Sequence, residues 1–236
     1  MIDPRKPVFD AVRVLARPGL FGDPGNVLAL DNLLDAYDVP RAAAIGHNGP
    51  PADALTMRMV LEILEHEAIV QEAYKDSVGV WTWGVGVTDA SGHHVDRYKD
   101  APATIARCIE IYVWLLRTKY LPEVLRAFAG HALAEHELAA ALSFQWNTGA
   151  IGRASWVDHV KAGRREAART AFLEWCRPKE IIARRKCERA LFFDGIWMGD
   201  GLVPHYDVAK PGYGPRWSSR KLIDVREDVA KAMAAA

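Results

Sequence analysis

Cysteine is scarce in this 236-residue chain: Cys108, Cys176 and Cys187 are odd in number and widely spaced. Such a set supports neither a disulfide framework nor a CxxC metal site. It is expected to be free thiols buried on helices, in a protein made in a reducing cytoplasm. Net charge is missing as well, with 30 Lys+Arg against 30 Asp+Glu. Without a basic stripe, a nucleic-acid partner is excluded; neutrality also argues against strong electrostatic docking to a polyanion, without arguing against acting on one. No apolar run approaches the ~20 residues of a membrane span; IYVWLL is among the longest, so no stable membrane insertion is expected. The first twenty residues, broken by Pro and Arg, lack the continuous apolar core of a signal peptide. His93 and His94 have no third ligand at useful spacing and are expected to be solvated in a turn. No metal and no cofactor are expected.

Half of the residues are hydrophobic, enough for one good-sized core with a small appended module. Residues 8–38 carry two short amphipathic patterns, and 1–41 are expected to form a small helical extension. The Gly/Pro/Ala-rich stretch 42–53 looks like a linker. A helix is then predicted to start at Asp53 or Thr56, either of which can cap it. Its apolar stripe runs through Val60, Ile63 and Leu64 and continues to Glu67. The β-branched, aromatic and glycine-punctuated run VGVWTWGVGVTDASGHHV predicts a two- or three-stranded antiparallel sheet. Helical patterns follow over about 103–119, 121–128, 135–147, 155–162, 164–175, 181–193 and 220–234. The order predicts an α+β fold with a small sheet beside a mainly helical lobe. The catalytic domain is placed at 54–200, and 201–236 is expected to be a loop and helix packed on it, with 201–222 largely loop.

Cleaving a glycosidic bond with two carboxyl groups requires one that is protonated and one that is ionised, hence two different environments. Glu67 continues an apolar stripe near a helix C-terminus, where burial and the negative dipole end favour its neutral form. Asp76 lies in the polar turn YKDSVG, where it should stay ionised. With 30 acidic residues, other pairs satisfy the same description. Glu62, Glu65 and Glu72 are expected to be surface charges.

The spacing makes the pair specific. Glu67, Asp76 nine positions on and Thr82 six further on lie in EAIVQEAYKDSVGVWTWGVG. The run resembles the catalytic segment of the phage T-even-type lysozymes (endolysins, muramidases), glycoside hydrolase family twenty-four. LSFQWNTGAIG (142–152) is similar to that family's cleft-lining helix end, and ARRKCERALFFDGIW (183–197) to its R–E–L-F…G-x-W ending. The resemblance covers about 55–200. It implies hydrolysis of the β-1,4 bond between N-acetylmuramic acid and N-acetylglucosamine of bacterial peptidoglycan, with inversion. Glu67 would be the acid; Asp76 would hold and activate water, helped by Thr82. Gln145 and Asn147 would bind sugar groups, and Arg184, with Arg185 as fallback, would form a salt bridge to Glu67. That cation opposes the effect of burial on Glu67. Tyr74 belongs to the same motif as a supporting residue. Trp81, which alternates with Thr82, is the best sugar-stacking candidate among eight tryptophans expected mostly in the core.

One departure is Val87, where many members carry His; a buried ion pair of that branch is then absent. The expected agent is a monomer made in the host cytoplasm that meets the wall in the periplasm after release. The alternatives are a wall-binding or virion-structural protein on the same fold, a lytic transglycosylase, or action on another glycan.

Overall fold

A computed structural model describes residues 5–17, 20, 26, 30, 33–34 and 54–234. The expected linker and most of the second N-terminal helical pattern lie outside the described residues. The first pattern forms α1 (Lys6–Leu15).

Thr56 is the cap of α2 (Met57–Leu64): its hydroxyl accepts from the Met59 N–H at 3.2 Å. The helix buries Met59, Val60, Ile63 and Leu64. It ends earlier than its stripe suggests, since Glu67 lies three residues beyond Leu64 in the connection to the sheet. The sheet is β1 (Val70–Lys75), β2 (Trp81–Gly84) and β3 (Val87–Thr88), antiparallel and in sequence order. Tyr74 pairs with Thr82 and Lys75 with Trp81. The Asp89–Ser91 turn is a single 3-10 turn closed by Gly92 at φ 89°.

The helical lobe follows: α3 (Ile105–Leu115), a π-turn (Leu116–Tyr120), α4 (Leu121–Ala127), α5 (Glu135–Thr148), α6 (Ser155–Lys161), α7 (Arg165–Phe172) and α8 (Ile182–Asp194). Glu137 accepts from the Ala134 N–H at 2.9 Å to start α5, and Gly149 at φ 59° ends it. α5 is the central helix, packed on α2 on one side and α8 on the other. Around Trp156, which is fully buried, Phe128, Phe144, Phe172 and Phe192 form an aromatic core with ring centroids 4.6–5.8 Å from it. All three cysteines are free, but only Cys108 is buried; Cys176 and Cys187 are half-buried.

Residues 201–224 differ from the expected loop. They form two antiparallel pairs, β4 (Leu202–His205) with β7 (Lys221–Asp224), and β5 (Val208–Ala209) with β6 (Gly214–Pro215). Short strands separated by Pro and Gly lack the period-2 run that marks a strand in sequence. These pieces cover the outer edge of β1: Ile69 N–H donates to Pro204 O at 2.8 Å, and Lys75 N–H to Tyr213 O at 2.7 Å. The predicted 220–234 helix is therefore only α9 (Arg226–Ala234), which packs against α3 and α2.

Glu62 corrects another expectation: it is buried, not a surface charge. Its carboxylate accepts from the backbone N–H of Met198 and of Gly199, both at 2.8 Å, and pins the segment after α8 onto α2. Gly199 lies so close that a Cβ there would be 2.7 Å from the Glu62 backbone. His93 is likewise buried, its Nε2 within 3.0 Å of the Tyr98 hydroxyl and its ring stacked on Trp83. Gly199→Ala is expected to destabilise the protein by about 1–3 kcal/mol through this clash, read as a lower denaturant midpoint with an unchanged slope.

Candidate active site

The segment that leaves α2 turns Glu67 back under the sheet, its N–H still bonded to Leu64 O at 3.0 Å. Its side chain is only 15% exposed. Arg184 Nη1, from the first turn of α8, donates to Glu67 Oε1 at 2.5 Å. The Trp146 indole of α5 also bonds the carboxyl group. On the other side is the β2–β3 turn, where Gly86 has φ 71° and a Cβ would be 3.2 Å from Glu67 Oε2. The glycine spacing of this motif thus answers to the acid as well as to the turn.

Burial and Arg184 act on Glu67 in opposite directions, and burial wins. Desolvation holds the pKa above the usual carboxylate value; Arg184 and Trp146 lower it, and the Glu188 charge adds to the rise. Burial works against the Arg184 charge, yet Glu67 and Glu188 together hold its pKa above normal.

Asp76 occupies the turn after β1, half-buried. Oδ1 accepts from the N–H of Val78 at 2.9 Å and of Val80 at 2.8 Å, which fixes the carboxylate with one oxygen taken by the backbone. Thr82 on β2 is buried and donates to Val80 O at 3.2 Å. Tyr74, its cross-strand partner, is within electrostatic reach of both carboxyl groups. Burial raises the Tyr74 phenol pKa, and the charges of Glu67 and Asp76 both raise it further.

Trp81 faces away from this chemistry. Successive strand residues point to opposite faces, so Trp81 lies on the face opposite Thr82. There its ring meets Tyr213 edge-on at 5.3 Å, with Lys75 and Lys99 over it. It braces the C-terminal strands against the sheet. Gln145 is buried too, with both ends of its amide engaged: Nε2 donates to Glu123 and Oε1 accepts from the Ile151 N–H at 2.8 Å. It holds α4 and the loop after α5 together, and its burial turns it to the interior and away from a sugar. Asn147 is exposed; its Oδ1 accepts from Arg185 Nη2 at 2.7 Å. It lines an open groove of about 320 Å³ with Trp175, Glu174 and Arg177.

Two neighbours were missed in sequence. Glu188, fully buried, holds Arg184 Nε at 2.8 Å and Ser143 Oγ at 2.6 Å. His66, next to Glu67, is held neutral by burial, helped by the Arg184 charge, with its pKa lowered to about 4. The signal for Glu188 lay in the RRKCE run, four residues after Arg184 and so on the same helix face. Nothing in the sequence marks His66.

A small sheet packed on a helical lobe, with two carboxyl groups whose charges both reach Tyr74, is an arrangement compatible with the chemistry of a glycoside hydrolase. Residues 64–188, just over half of the chain, match the phage lysozyme family model, and the chain belongs to that family. Peptidoglycan is its substrate, and lysis of the wall its general action. Among solved structures, the endolysin from Escherichia coli O157:H7 phage FAHEc1 is 21% identical, covering 61% of this chain and 96% of its own, with a TM-score of 0.54. The muramidase domain of SpmX from Asticaccaulis excentricus is 21% identical, covering 62% and 98%, at 0.45. A P22 lysozyme mutant is 26% identical, covering 58% and 94%, at 0.43. No curated protein matches. Among the described residues, no helix is long and apolar enough to cross a membrane.

His66 generates a pH prediction. The folded protein keeps the imidazole neutral, whereas the unfolded chain protonates it near 6.5. Its contribution to stability is therefore complete above pH 6.5 and is lost as the pH falls towards 4, at about 1.4 kcal/mol per unit. Denaturation midpoints at pH 7 and pH 4.5 should lie closer together in His66→Gln than in the parent.

Proposed function

We propose that the chain hydrolyses the β-1,4 bond between N-acetylmuramic acid and N-acetylglucosamine, with Glu67 as the acid, Asp76 as the base and Thr82 positioning the water. The observation that carries this reading is the contrast between the two carboxyl groups: burial raises the pKa of Glu67 against the pull of Arg184, while Asp76 is anchored in an exposed turn by two backbone N–H groups. Glu67 gives its proton to the glycosidic oxygen as the bond from the anomeric carbon breaks. Water held by Asp76 and the Thr82 hydroxyl adds to that carbon, and its proton passes to Asp76. Each product keeps an intact ring, and the muramic acid end is left reducing.

Arg184 orients the acid, and Tyr74 lies within electrostatic reach of both carboxyl groups. Of the three residues expected to bind sugar, Asn147 is kept as a candidate because it is exposed, although the groove it lines includes none of Glu67, Asp76 and Thr82; Trp81 and Gln145 are assigned to bracing the fold. α1 (Lys6–Leu15) belongs to an N-terminal extension of the lytic unit, the C-terminal strands and helix are part of that unit, and the enzyme works as a monomer. It needs no cofactor and reaches the periplasm after release.

Glu67→Gln keeps the shape and removes the transferable proton. It should lower lysis of wall suspensions by about 10²–10⁴-fold, with a circular dichroism spectrum like the parent's. Lysis at the parent rate would end the acid assignment. A 1,6-anhydro end among the products, in place of a reducing end, would overturn hydrolysis.

A further inference from the structure

Arg184 is one cation held between two carboxyl groups. Nη1 goes to Glu67 at 2.5 Å, Nε to Glu188 at 2.8 Å, and Nη2 to Ser143 O at 3.2 Å. Glu188 in turn accepts from Ser143 Oγ at 2.6 Å and from Arg185, and neither Glu188 nor Arg185 has any side-chain exposure. Arg185 is fixed further by Trp175 O at 3.2 Å and Asn147 at 2.7 Å. The order is therefore carboxyl, guanidinium, carboxylate, guanidinium.

The bookkeeping of charge makes Glu188 decisive. Arg184 faces Glu67 on one side and Glu188 on the other; without Glu188 its charge is no longer shared and bears on Glu67 alone, whether or not Arg185 is present. An unshared buried cation beside Glu67 draws the proton off it. Among the described residues, the other elements facing Glu67 supply no equivalent. His66 on its own segment is neutral; Tyr74 from β1, Tyr112 from α3, Tyr120 from the π-turn and Trp146 from α5 carry no charge at neutral pH. Asp76 beyond Tyr74 is in the open turn, and Glu123 beyond Tyr120 is tied to Gln145.

We propose that Glu188 is a positioning residue for the acid: by holding the far side of Arg184 it shares that cation between two carboxyl groups and leaves Glu67 able to carry the proton. The proposal rests on the reading of Glu67 as the acid and extends it to a residue that does not touch the substrate.

The test is a carboxyl ¹³C NMR titration of Glu67 in the full-length chain, run beside the pH profile of wall lysis. Glu188→Gln should move the Glu67 midpoint, and with it the alkaline limb of the profile, to lower pH by about one unit. Glu188→Asp, which restores the charge, should keep both near the parent positions. Because Glu188→Gln strands the buried Arg185, the Arg185→Met, Glu188→Gln double variant is measured too, with a shift in the same direction expected; if the single variant does not fold, the double variant decides. A Glu67 midpoint that stays in place in the neutral variants overturns the proposal, even if activity falls at every pH, since that is the mark of a purely structural role. A midpoint that moves while the lysis limb stays supports the tuning and overturns Glu67 as the acid.

Discussion

The contact between Glu67 and Arg184 spans 117 residues of chain and joins the sheet lobe to the last long helix of the helical lobe. A carboxyl group this shielded is costly to ionise, and a guanidinium this shielded is costly to leave unpaired. Each therefore constrains its own element. The end of α2 must deliver Glu67 inward, and the first turn of α8 must face it. α5 lies between them, supplying Ser143 and Trp146 as polar neighbours, while its other faces meet the aromatic core.

The C-terminal strands serve the same geometry from the other edge. β1 leads from Glu67 to Asp76, and its outer edge is held by Pro204 and Tyr213. Lys210 bridges Glu72 and Asp100, and the Tyr213 hydroxyl donates to Asp100 at 2.8 Å. Trp81 packs into this assembly and is lost to the cleft for that reason. Thr82 and Trp81, neighbours on one strand, must face opposite ways.

Much of the fold was legible because it depends on local periodicity. The helices of the lobe lie within a few residues of their apolar patterns, and the Gly-punctuated run forms the three-stranded sheet. The strands at 201–224 were not legible, since their order comes from the edge of β1 and from no alternation of their own. Gln145 and Trp81 were assigned to sugar by motif and neighbour; what they touch is a tertiary matter. Burial of Glu62 and His93 belongs to the same class, because polar residues mark the core only when the partners that satisfy them are known.

For the carboxyl pair, the sequence by itself determined the residue types, their spacing to Thr82, and the likeness of the surrounding segments to a family. Those are properties of order along the chain. The tertiary structure alone decided the protonation balance at Glu67, since desolvation and the placement of Arg184 depend on atoms brought together from α2, β1, α5 and α8. It also decided that Arg184 is shared with Glu188, and Coulomb interactions between groups so far apart in sequence exist only once the chain has folded.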